Sequence, residues 1–185
     1  MSIKKELFSK RLILRPLRKD DFEAVQDWAS LPDNVRFMDW GPNNEEDTLE
    51  FVLSAKAGYD FAVTLKSNGK VIGSCGIYPT KKETAEVGWI LHRDYWKQGF
   101  GTELALALVD YGFRDLKLHR ITSTCDAENY GSYRVMENAG LRREAVELLA
   151  RWNRVDEKWA DQYKYAILAE EYEKLADVSE EGKKR

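Results

Sequence analysis

The spacing of hydrophobic and polar positions changes several times along this chain, and each change marks an element. Arg11 to Leu17 alternates with the two-residue period of a strand, and Pro16 marks its end or an edge position. Phe22, Val25 and Ala29 then recur on one helical face, with Asp20 and Glu23 spaced as a capping box and Leu31-Pro32 as the stop. Asn34 to Asn44 carries Phe37, Met38, Trp40 and Gly41-Pro42 without a period, which predicts an irregular loop. Asn44 is placed to cap a second helix running through Lys56, with Glu45, Glu46 and Asp47 in its first turn and Gly58 after its end. Phe61 to Leu65 and Val71 to Tyr78 are β-rich and joined by Ser67-Asn68-Gly69, a strong hairpin signal. Ala85 to Leu91 follows as a third strand, giving an antiparallel meander.

Beyond that strand the chain passes through Gly99 and Gly101 into a helix whose Leu104, Ala107, Leu108 and Tyr111 share one face. Glycines at a helix entry let a ligand approach the main chain, and the free amides and dipole there favour a phosphate. The same pattern also serves as a tight connection. It is not a P-loop, because no Lys-Ser or Lys-Thr follows, and Leu104 occupies the third glycine position of a dinucleotide fingerprint. Arg120 to Asp126 reads as a strand returning through a helical crossover, hence parallel to an earlier one. Asn129 caps a helix from Tyr130 to Ala139, with Val135 and Ala139 inward and Gly140 in the left-handed position after it. Leu141 to Trp152 and Lys158 to Leu168 are the last strands, around a polar turn. The fold class is therefore α/β (α+β): a mixed, mostly antiparallel sheet of about seven strands flanked by helices. Residues 1–170 form one domain, and the charged stretch 171–185 is expected to give a short helical turn and a frayed tail.

Composition narrows the partners. The chain has 185 residues, enough to bury about 70% of its unfolded surface as one domain. Its net charge of -3 argues against a general binder of nucleic acid backbones. A charged start and the lack of any run near the ~18 apolar residues of a span predict a cytoplasmic protein with no membrane partner. Cys75 and Cys125 read as small buried hydrophobes, and His92 and His119 are too separated for a metal site.

The order of elements resembles the GCN5-related N-acetyltransferases, particularly their ribosomal-protein N-acetyltransferase branch, over almost the whole chain. The carriers are Arg11-Leu12-Ile13-Leu14-Arg15, Ile72-Gly73-Ser74-Cys75-Gly76, Glu86-Val87-Gly88-Trp89, Trp96 to Glu103, Asn129-Tyr130-Gly131-Ser132, and Asn138 to Glu144. Trp96 stands where the broad family usually has Gln or Arg, which leaves one side-chain contact open. The resemblance implies acetyl-coenzyme A as co-substrate, with its pyrophosphate on the amides of Gln98, Gly99, Phe100, Gly101 and Thr102. It lays the pantetheine arm along Trp89, Ile90 and Leu91, beside Asn129, with the thioester in a splay between that strand and Arg120 to Asp126. A homodimer through the terminal strands is a family habit.

An amine attacks a thioester only when neutral, and α-amines and lysines have pKa values of ~8 and ~10.4, so a base is needed. Glu86 matches the family's base position; its alternative is an ordinary strand-surface carboxylate. Ser132 is the candidate to stabilise or protonate the leaving thiolate, with Tyr133 next; its alternative is first-turn capping. Amides near Ile90 and Leu91 are expected to meet charge developing on the carbonyl oxygen. Lys97 and Arg134 can reach coenzyme A phosphates or stay as surface charges, and Glu144 is a strand carboxylate of undecided role. Met38, Asp39, Trp40 and Gly41, with the final hairpin near Trp152, are expected to wall the acceptor cleft. The acceptor is then a primary amine, on a protein N-terminus or a small molecule such as a polyamine or antibiotic. Two competing readings are a non-catalytic coenzyme A binding module and transfer of a longer acyl group, which depends on room near Ile77, Trp89 and Cys125.

Overall fold

The computed structural model describes residues 6–175. Its centre is one sheet of eight strands in the order β1-β2-β3-β4-β5-β6-β8-β7. These are β1 (Leu7–Phe8), β2 (Leu12–Pro16), β3 (Asp60–Leu65), β4 (Val71–Lys81), β5 (Thr84–Leu91), β6 (Arg120–Asp126), β7 (Arg142–Asn153) and β8 (Lys158–Leu168). Neighbours are antiparallel except β5 and β6, which are parallel. The strand beyond the expected seven is β1, whose two residues are too short to show a period.

Helices α1 (Phe22–Ala29), α2 (Pro32–Val35) and α3 (Glu45–Ser54) cover one face of the sheet, and α4 (Phe100–Arg114) and α5 (Tyr130–Asn138) cover the other. Strand alternation feeds both layers. Phe61 and Val63 join Leu104, Leu108 and Met136 in the larger cluster, while Ala62 joins Val25, Trp28 and Val52 in the smaller. Residues 169–175 are helical, and Tyr172 packs its ring on Phe113 at 5.0 Å. The expected frayed tail lies otherwise outside the described residues. No described helix is long and apolar enough to cross a membrane.

Caps and turns follow the local chemistry. Asn44 accepts from the Asp47 amide at 2.9 Å and Asp47 answers at the Asn44 amide at 3.1 Å, a complete capping box. Gly69 in the β3–β4 turn and Gly140 after α5 have φ of 73° and 89°.

Three expectations need correction. The carboxylate at the start of α1 is Asp21, which accepts from the Arg18 amide at 2.9 Å and from Arg15 at 2.6 and 2.8 Å. The Asp20 and Glu23 box does not form, because burying Asp21 against Arg15 draws residues 19–21 into a 3-10 turn. The stretch after α1 is not wholly irregular, since Pro32 opens the short α2 with its ready-made φ. Helix α3 stops at Ser54, short of Lys56, whose amide instead donates to Asp60 at 2.8 Å.

Candidate active site

Between β5 and α4 the chain makes a 3-10 turn, Arg93–Tyr95, and then two left-handed steps, with φ of 58° at Lys97 and 80° at Gly99. A lysine is strained in that region and a glycine is not. The first intrahelical bond of α4 runs from the Glu103 amide to the Gly99 carbonyl at 3.1 Å, so the amides of Phe100, Gly101 and Thr102 find no acceptor within the helix. Arg11, at the start of β2, fixes this entry. Its guanidinium donates to the Gln98 carbonyl at 3.0 Å and to Glu103 at 2.7 Å, and lies 4.1 Å from the centre of the Phe100 ring. Burial pushes the Glu103 carboxyl up, but hydrogen bonds from the Arg11 amide, the Ser9 hydroxyl and the Arg11 guanidinium outweigh it and hold the pKa below the ordinary value.

The two glycines have different reasons. Gly99 supplies the left-handed step, whereas a Cβ on Gly101 would lie 2.9 Å from Val135 of α5. Gly101 therefore lets the two helix starts come together. Gln98 turns its side chain back to the Asp94 carbonyl at 2.7 Å, and Lys97 is exposed.

The parallel pairing of β5 with β6 covers only Thr84–Glu86 against Arg120–Thr122, and the strands part beyond it. The His92 amide donates to the Ile72 carbonyl of β4 at 2.8 Å, so by alternation the main-chain groups of Ile90 and Gly88 also face β4. Those of Val87, Trp89 and Leu91 face the splay. The Val87 carbonyl accepts from Ser123 at 2.8 Å, and the Leu91 carbonyl accepts from the Trp96 indole at 2.7 Å and from Asn34 at 3.2 Å. This leaves the Trp89 main chain and the Leu91 amide as the polar groups presented there. Ile90 departs from expectation: its main chain serves β4 and its side chain belongs to the smaller core cluster. Trp96, the family departure, has the task of closing the Leu91 carbonyl.

A cavity of about 240 Å³ opens at the splay. It gathers Glu86, Trp89, Asn129 and Ser132, four of the residues selected from sequence. Thr124 donates to Glu86 at 2.9 Å and so fixes one carboxylate oxygen. Asn129 accepts from the Ser132 amide at 3.1 Å, capping α5 with its side-chain oxygen. Capping is thus done by Asn129, and the Ser132 hydroxyl is left for the cavity. Gly88 also lines the cavity, and a Cβ placed on it would meet nothing within 4 Å. That strand glycine has no packing reason, so the space beside it is room for a ligand.

Cys125 lines the cavity too, so it is more than a packing residue. Burial first, then Asp126, pushes its thiol up to about 11 against a smaller downward pull from Ser132, which keeps it protonated near neutrality. Arg151 and Gln162 reach the cavity from β7 and β8. Sequence did not single out Thr124, Arg151, Gln162 or Asn34, because their places depend on strand register and on a loop without a period.

Several expected contributors lie elsewhere. Met38 and Asp39 line the cavity, but Trp40 stacks on Phe51, packs tilted against Trp28 and, with Gly41, borders a separate depression. Trp152 packs on Trp159 at 5.6 Å, half-exposed, and its neighbour Arg151 takes the inward place. Tyr133 packs among Tyr130 and Tyr163, away from the cavity. Arg134 pairs with Glu137 at 3.0 Å, and Glu144 is held by Arg120 and by Arg142 at 2.8 Å. Hydrogen bonding from Arg120 leads the causes that hold the Glu144 carboxyl below its ordinary value. Ile77 is wholly buried in the core and does not line the cavity, whereas Trp89 and Cys125 do. Among the described residues no three His, Cys, Asp or Glu side chains group as metal ligands.

The sequence model of the acetyltransferase (GNAT) domain matches residues 11–142. A Bacillus subtilis (strain 168) protein described as an uncharacterized N-acetyltransferase, YnaD, is 36% identical over 169 residues, covering 89% of this chain and 97% of the relative. A crystal structure of a GNAT-family acetyltransferase from Bacillus anthracis superposes with a TM-score of 0.83 at 36% identity, over 89% of this chain and 99% of the other. A spermidine N-acetyltransferase from Vibrio cholerae, solved with CoA and spermine, shares the fold with a TM-score of 0.76 at 20% identity, over 88% and 98%.

Proposed function

The chain belongs to the GNAT acetyltransferase family, and from that premise we propose that it moves an acetyl group from acetyl-coenzyme A to a primary amine by direct attack, with Glu86 as base and Ser132 as acid. The observation that carries this reading is that one cavity at the β5–β6 splay brings Glu86 and Ser132 together beside Gly88, whose missing side chain leaves the needed room. A non-catalytic binding module would have no use for that convergence.

The residues present fit acetyl-coenzyme A. The amides of Phe100, Gly101 and Thr102 at the start of α4, with those of Gln98 and Gly99, would hold the pyrophosphate. The Trp89 main chain would pair with the pantetheine arm, and Asn129, its oxygen already engaged, would offer its amide nitrogen. When bound, acetyl-coenzyme A supplies an activated acetyl group whose C–S bond breaks as the C–N bond to the amine forms.

Glu86 takes the proton of the acceptor ammonium, directly or through one water, with Thr124 holding one of its oxygens. The Leu91 amide, facing the splay, is the donor for charge developing on the acetyl oxygen. Ser132 gives its hydroxyl proton or a hydrogen bond to the departing sulfur. Met38 and Asp39 line the acceptor side.

The acceptor is read as a protein N-terminal α-amine or a small-molecule amine, in a cytoplasmic protein. A homodimer is supported by the edge strand β7, which exposes Val146, Leu148 and Leu149. Thiol release from acetyl-coenzyme A with a panel of amines and N-terminal peptides tests the activity. Tight coenzyme A binding without turnover of any acceptor sinks it.

A further inference from the structure

Among the described residues Arg151 is the single cation lining the cavity that holds Glu86, and its backbone is shaped to put it there. Glu147 pairs with Gln162 and Arg151 with Ala160, so Leu148, Leu149 and Ala150 all stand opposite Asp161. This bulge forces Leu149 to a φ of 46°, a left-handed conformation that a leucine resists, and Asp161 pins it by accepting from the Leu149 amide at 2.8 Å. Bulges re-aim side chains, and strain of this kind persists where the surrounding structure imposes it.

The partner of Arg151 is Asp126, which is 1% exposed against 10% for the arginine side chain. A buried pair of this type gains most from a bidentate fork at hydrogen-bond distance. Arg15 and Asp21 make such a fork in this protein at 2.6 and 2.8 Å. Arg151 and Asp126 instead stand 3.6 Å apart, and Arg151 Nη1 and Asp126 Oδ2 are both buried without a hydrogen bond. Leaving two buried polar atoms unpaired is costly, and the cost has a use if a ligand completes the arginine. Asp126 orients the guanidinium, while its donors stay uncommitted.

Resting on the acetyltransfer reading above, we propose that Arg151 binds a carboxylate carried by the acceptor, so that the preferred acceptors are amines that also bear a carboxylate, free amino acids being the simplest. Glu86 and Asp39 then face the ammonium end and Arg151 the carboxylate end of one small zwitterion. A polyamine would bring a second positive charge towards that guanidinium.

The test compares phenylalanine with phenethylamine and with phenylalanine amide, and lysine with cadaverine, by thiol release from acetyl-coenzyme A. The wild-type protein is expected to favour each carboxylate-bearing member by roughly 10- to 100-fold in kcat/KM, the scale of a charge-assisted hydrogen bond. Arg151→Lys keeps the charge beside Asp126 but loses the planar fork. It should remove most of that preference through the acceptor KM, with a much smaller effect on phenethylamine than on phenylalanine. A second variant, Asp126→Asn with Arg151→Gln, buries no lone charge and should show the same loss. Equal use of each amine and its carboxylated partner, a preference for cadaverine, or a phenylalanine amide as good as phenylalanine would overturn the inference while leaving acetyltransfer standing. Absence of thiol release with every amine overturns both.

Discussion

Thr124 donates a hydrogen bond to Glu86 across the line where β5 and β6 separate, 2.9 Å from hydroxyl to carboxylate. The parallel ladder ends two residues earlier on β6, at Glu86 against Thr122. The carboxylate is thereby held at the mouth of the splay by a side chain with no other evident duty there.

For Glu86→Gln the expected loss of rate is about 10²- to 10⁴-fold, the usual share of a general base. The loss should be largest at low pH and shrink as the medium itself deprotonates the amine, whose pKa is ~8 for an α-amine. A pH–rate profile parallel to that of the wild type would remove Glu86 from this role. Thr124→Val, which keeps the shape and deletes the donor, should cost about 5-fold in kcat, the equivalent of ~1 kcal/mol.

Gly88→Val adds a side chain where a Cβ meets nothing within 4 Å, on a strand that suits valine. The folded protein should keep its stability to within ~0.5 kcal/mol. Coenzyme A affinity, measured by calorimetric titration, should fall at least about tenfold, or ~1.4 kcal/mol. Undiminished affinity would mean that the space beside Gly88 is not used by the ligand.

Gly101 and Val135 should be coupled. Gly101→Ala places a Cβ 2.9 Å from a Val135 methyl and pushes α4 and α5 apart. Val135→Ala relieves that overlap, so the double variant should lose about 1 kcal/mol less stability in chemical denaturation than the two single losses added together. Strict additivity would show that the helix starts do not touch in solution.

The loop before α4 should be sensitive to acid through Glu103. Its carboxyl sits below the ordinary 4.5 in the folded protein, so around that pH the unfolded chain binds more protons than the folded one. The stabilisation is complete above about 4.5 and fades as the pH falls through the lower folded value. Melting temperatures followed from about pH 6 to about pH 3 should drop less steeply for Glu103→Gln than for the wild type.

By itself the sequence determined the elements and the residue types at the splay. Local rules sufficed for the Asn44 and Asn129 caps, the Gly69 turn and the glycine entry to α4, because each involves neighbours a few residues apart. Family motifs placed Glu86 and Ser132, which the cavity brings together. Tertiary structure alone decided what surrounds them. Thr124 meets Glu86 across 38 positions and Asn34 closes the Leu91 carbonyl across 57, and such contacts follow from strand register and helix docking. Asp126 and Arg151 face each other only because β8 lies between β6 and β7 and β7 bulges at Leu149. A two-residue period fixes which face a side chain takes, but pairing partners are chosen by the packing of the whole sheet.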